Sequence, residues 1–123
     1  MDSLPQDFPS QAAGLAAALD RIWQRHLPQI EERLAVIESA AAATAAGTLS
    51  PDQKLAARAA AHNLAGVLGS FGVAEGTAPA RETERLYAAD ADPDPENAAR
   101  LAGMAATLRF LVEGRKQPQA PAK

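Results

Sequence analysis

Apolar residues recur along this chain at three- and four-residue spacing and never alternate, so the pattern predicts helices and no strands. A first helix is predicted from Ser10, which can cap it, displaying Leu15, Leu19, Ile22, Trp23 and His26 at helical spacing. Pro28 is expected to interrupt it, as a kink or as the first turn of a new helix. Ile30, Leu34, Ile37 and Ala41 form a second stripe that ends near Gly47. The third helix has the sharpest start: Ser50-Pro51-Asp52-Gln53 reads as N-cap, proline at the first helical position and capping-box glutamine. It is predicted to run to about Phe71, with Gly72 as its stop. A fourth helix is expected from Ala74 or Glu75 to Ala89, with Pro79 tolerated in its first turn. Residues 90–94 read as a loop, and Asp94-Pro95 opens a fifth helix. That helix carries Leu101, Met104, Ala105, Leu108, Leu111 and Val112 on one side and should fade near Gly114.

Short connections imply antiparallel neighbours. The expected fold is all-α: an antiparallel up-down four-helix bundle over residues 10–115 with one additional N-terminal helix. Residues 1–9 and the proline-rich tail 116–123 are expected to be flexible. A chain of 123 residues has room for one such core. Alanine dominates its apolar fraction and aromatics make up 4%, a composition that suits closely packed helices.

The third helix has two faces. At about 100° per residue, Ala57, Ala60, Ala61, Leu64, Val67, Leu68 and Phe71 gather into a core stripe. His62 points nearly opposite, among Leu55, Arg58, Ala65, Gly66 and Gly69. A solvated helix face normally carries Glu, Lys or Gln, and each mid-helix glycine costs about 1 kcal/mol relative to alanine. Two readings account for the glycines: close approach of a partner's backbone to His62, or tight helix–helix contact within an alanine-rich bundle. Likewise His62 alone reads either as a functional residue or as an ordinary surface histidine.

The string His62-Asn63-Leu64-Ala65-Gly66-Val67-Leu68-Gly69-Ser70-Phe71-Gly72 resembles the signature of histidine-containing phosphotransfer (HPt) domains. That pattern has a leucine two residues after the histidine, usually lysine three on, and glycines four and ten on. Leu64, Gly66 and Gly72 fit it, as do Ala61 and the apolar Phe71. Glu84 also stands where the family's following helix often has an acid. The departure is Ala65, which replaces the usual lysine. Arg58, one turn before His62, is either a substitute cation or a solvated arginine.

The resemblance implies a phosphocarrier and not an independent enzyme. His62 would accept a phosphoryl group from a receiver-domain phosphoaspartate, or from a histidine kinase, and pass it on. Arg58, Ala65, Gly66 and Gly69 would form the partner-docking face. Neutral imidazole is a competent nucleophile for this step. No cofactor of its own is expected; magnesium would come with the receiver. No Walker or kinase glycine loop is present, so no ATP site is expected. Two alternatives from other classes are a receiver-docking module that takes no phosphate, which the missing lysine favours, and a structural bundle for interaction.

Charge and composition trim the field further. The formal charge of -3 and the lack of a basic stripe speak against nucleic acid. There is no cysteine, hence no disulfide or thiolate site. No signal peptide or apolar span is visible, so a cytoplasmic protein away from membranes is expected. His26 reads as a boundary or core histidine, Arg81, Glu82, Glu84 and Arg85 as a surface charge lattice, and Phe110 as a residue touching the N-terminal helix or a partner.

Overall fold

The computed structural model describes residues 4–116, with side chains from residue 11 to 115. Its elements are four α-helices: α1 (Leu4–Ala46), α2 (Pro51–Ser70), α3 (Thr77–Ala88) and α4 (Pro95–Lys116). One 3-10 turn, Ala74–Gly76, precedes α3. Among the described residues there is no strand, and no helix is long and apolar enough to cross a membrane.

The separate N-terminal helix is corrected. Its residues and those of the second stripe form one 43-residue helix that begins at Leu4 and not at a Ser10 cap. Within the segment expected to be flexible, the backbone of residues 4–9 is already helical; residues 1–3 and 117–123 lie outside the described residues. Pro28 offers no N–H to the carbonyl one turn earlier, yet α1 passes through it. Core contacts on both sides explain this: Trp23 before the proline and Ile30 and Leu34 after it are all fully buried in one cluster. Packing there outweighs a single missing hydrogen bond.

Local signals set the other boundaries. Ser50 accepts from the Gln53 amide at 3.1 Å while Gln53 Oε1 accepts from the Ser50 amide at 2.9 Å, a complete capping box. At the far end of α2 the Val73 amide reaches back to Leu68 O at 2.8 Å and the Gly72 amide to Gly69 O at 3.4 Å. That is a Schellman stop, and it needs the left-handed φ of 79° that Gly72 supplies. The Asp94 carboxylate accepts from the Asn97 amide at 3.2 Å and caps α4, which is still helical at Lys116, two residues past the expected fade.

The core holds Trp23, Ile30, Leu34 and Ile37 from α1, Ala60, Ala61, Leu64, Ala65 and Leu68 from α2, and Ala105, Leu108 and Val112 from α4. A second cluster joins Ala40, Ala41, Ala57, Leu86, Tyr87 and Leu101. Val67 and Phe71, expected in the stripe, are half-buried at its edge, as is Met104 in α4; Phe110 is exposed. Polar groups tie the helices together. Thr44 donates to Ala40 O at 2.8 Å and so accepts from the Tyr87 hydroxyl at 2.9 Å, joining α1 to α3. Arg109 of α4 grips Glu38 of α1 with two bonds of 3.0 and 2.8 Å.

Two predictions follow from these contacts. Gly72→Ala should destabilise the fold by about 1–2 kcal/mol, because an alanine Cβ resists the left-handed conformation, and urea denaturation measures it. Hydrogen bonds from Arg109 hold the Glu38 carboxyl below its ordinary value, against a smaller opposing push from burial. Its folded pKa being the lower one, the pair contributes stability above the unfolded carboxyl's pKa of about 4.3 and loses it as pH falls through the folded value. With side-chain exposures of 32% and 39%, screening keeps the gain below about 1 kcal/mol. Arg109→Ala should therefore flatten the acid limb of a stability–pH curve by no more than that.

Candidate functional site

His62 stands near the middle of α2, on the face turned from the core. Its side chain is 70% exposed. Its Nδ1 lies 2.9 Å from Glu84 Oε2 on α3, whose side chain is 26% exposed. A carboxylate accepts, so in the neutral ring that makes this bond Nδ1 is the donor and Nε2 is the nitrogen with the lone pair. Nε2 is the ring nitrogen left without that partner, and the bond holds the ring in one orientation.

Two open clefts meet at His62. One is lined by His26, Asn63, Gly66, Val67, Ser70 and Phe71. The other is lined by Leu55, Arg58, Ala59, Asn63 and Glu84. Arg58 is exposed there and makes no ion pair among the described residues, while Leu55 beside it is 63% exposed. An unpaired cation and a bare leucine flank the histidine on its N-terminal side.

On the C-terminal side the face is small. Gly66 is exposed, and a Cβ built there would meet nothing within 4 Å. No neighbouring helix requires this glycine, so the tight-contact reading fails for it. Gly69 is also exposed; its Cβ would sit 3.6 Å from Thr77 Oγ1, an ordinary contact.

Ala65 is the exception and is corrected. It is 4% exposed and belongs to the core cluster, not to the open face. The reason is that α2 is covered by α1 on one side and α3 on another, which widens its buried arc beyond a single stripe. Of the four residues expected on the open face, Arg58, Gly66 and Gly69 are exposed.

Two further residues line the clefts. Glu84, which reads both as part of a surface charge lattice and as the family's acidic position, bonds His62, while Glu82 pairs with Arg85 and with Arg100 at 3.1 Å. Only the family's acidic position signalled it. His26, expected at the boundary or in the core, lies at the boundary: it is exposed and lines the cleft with its ring 6.4 Å from that of Phe71. The signal was its register: three residues past Trp23, it falls on the flank of the buried stripe. Trp23 itself packs edge-on against Phe71 at 5.3 Å, so that end of the cleft is fixed by a core contact.

The family model described as the Hpt domain matches residues 21–110. No curated protein and no solved structure matches the chain. The match spans most of the four helices and includes both His62 and Glu84, and with it comes a phosphotransfer role in two-component signalling: the chain belongs to the Hpt domain family.

Proposed function

We propose that this protein is a phosphocarrier that takes a phosphoryl group from a receiver-domain phosphoaspartate onto His62 Nε2 and returns it to another receiver. The observation that carries the reading is the 2.9 Å bond from Nδ1 to Glu84 beneath an exposed ring, because it leaves Nε2 as the nucleophile in open clefts. The Nε2 lone pair attacks phosphorus, the N–P bond forms, and the aspartyl O–P bond breaks with its electrons leaving on the carboxylate. The imidazole acquires positive charge as Nε2 gives up its pair, and Glu84 offsets that charge through the Nδ1 proton. Reversal of the same steps discharges the carrier.

The face around His62 suits a protein donor. Gly66 and Gly69 let a partner's backbone approach, Leu55 offers an apolar contact, and Arg58 supplies a cation toward the dianionic group in the absence of a lysine at position 65. Magnesium and most of the remaining charge stabilisation would come with the receiver. A histidine kinase is the other candidate donor. The protein would act in the cytoplasm, where receivers and kinase catalytic domains operate.

Phosphorylated receiver mixed with this protein tests the reading. His62→Gln should abolish acid-labile, base-stable labelling and change stability by less than about 0.5 kcal/mol, since the side chain is exposed. Labelling that survives in His62→Gln would sink the assignment, and binding without labelling of the wild type would make the protein a docking module. Glu84→Gln keeps an acceptor for Nδ1 but removes the charge; transfer should slow about five- to tenfold, the loss of about 1 kcal/mol of charge-assisted bonding.

Gly66→Gln separates docking from folding. It should raise stability by up to about 1 kcal/mol through helix propensity while slowing transfer, because a long side chain would stand between partner and histidine. Normal transfer in a stabilised Gly66→Gln would show that close approach is not what this glycine serves.

A further inference from the structure

The first half of α1 does not belong to the bundle. None of the described side chains from Gln11 to Ile22 is buried, and Trp23 is the first that is. The bundle closes around that level: Trp23 packs on Phe71 just past α2, and Asp20 pairs at 2.8 Å with Arg115 in the last turn of α4. What precedes Asp20 is a helical arm standing past the bundle's end. The Hpt match begins at Arg21, so the arm is also outside the part shared with the family.

The arm carries a seam. Ala12, Leu15, Leu19 and Ile22 follow one another at steps of three, four and three, the spacing of a coiled coil. Leu15 is 62% exposed, Leu19 36% and Ile22 37%. From Ser10 to Leu19 there is no charged residue on any side, although a solitary solvated helix normally carries its polar face in charge. Such a seam calls for another helix of the same spacing.

We infer that the arm pairs with the arm of a second copy of this chain, in the antiparallel sense. Antiparallel alignment of the seam on itself sets Leu15 against Leu19 of the other copy and Ala12 against Ile22, small against large. Charge selects the same sense. The arm is basic at its foot, where Arg21 and Arg25 are exposed with no ion pair among the described residues. Antiparallel copies set these arginines at opposite ends of the pair. Parallel copies would stack arginine on arginine. The charge-free centre meets itself without repulsion.

This surface is separate from the phosphotransfer site. His62 lies nine residues down α2 from Phe71 and Leu15 lies eight residues up α1 from Trp23, which at 1.5 Å per residue puts them roughly 25 Å apart. Pairing therefore leaves His62 open. The seam from position 12 to 22 is only about 16 Å long. It buries less than the roughly 800 Å² per partner of a standard interface, and the dimer is correspondingly weak and concentration-dependent.

Sedimentation of the full chain from micromolar to millimolar concentration tests this. The wild type should show a monomer–dimer equilibrium. Leu15→Glu/Leu19→Glu should weaken association at least tenfold while keeping the thermal midpoint and the labelling of His62. A wild type that stays monomeric throughout overturns the inference, as does a double variant that dimerises like the wild type. A monomeric wild type whose receiver binding is lost in the double variant would give the arm to the receiver instead, and overturns it equally.

Discussion

Ala57, Ala60, Ala61 and Ala65 line the buried side of α2 with one-carbon side chains, and helices that meet across such residues can approach closely. On α3 the facing positions include Ala80 and Thr83, both wholly buried, with the threonine hydroxyl satisfied by Pro79 O at 2.8 Å. This close contact is what the site depends on. Glu84 follows Thr83 directly, so a carboxylate at the edge of the α2–α3 seam reaches the histidine on the outer face of α2. Larger residues in the seam would push α3 outward and carry Glu84 out of reach.

The same economy leaves the histidine exposed, as the proposed carrier role requires. His62 is fixed through one ring nitrogen and bare at the other, on a regular helix and not on a loop. Rigid placement would serve the proposed transfer, because an in-line step tolerates little misalignment of nucleophile and phosphorus. The Schellman stop at Gly72 then turns the chain so that Phe71 meets Trp23, and His26 follows Trp23 into the cleft. A helix stop, a core contact and the wall of the site are thus one continuous arrangement.

Trp23 also marks where packing ends along α1. Below it every turn of that helix has a partner in α2, α3 or α4; above it no described side chain is buried. Arg115 closes the junction, its guanidinium 5.2 Å from the Trp23 ring and in ion pair with Asp20. One helix therefore serves two environments, with the division set by the lengths of its neighbours.

Much of this protein was legible in its sequence because the signals are local. The capping box at Ser50, the left-handed stop at Gly72, the start at Pro95 and the outward angle of His62 depend on residues within about one turn, and a helix enforces those relations wherever it forms. The small residues at 66 and 69 are likewise visible as breaches of ordinary surface composition. Tertiary structure decided the remainder. Whether Pro28 breaks α1 depended on burial of Trp23 and Ile30 against other helices, and whether Ala65 faces water depended on where α3 lies. Glu84 found His62 across 22 positions of sequence, and Leu15, Leu19 and Ile22 form a helical stripe whose burial no pattern can settle. Periodicity tells which residues share a face, but what covers that face is a contact between segments distant in the chain.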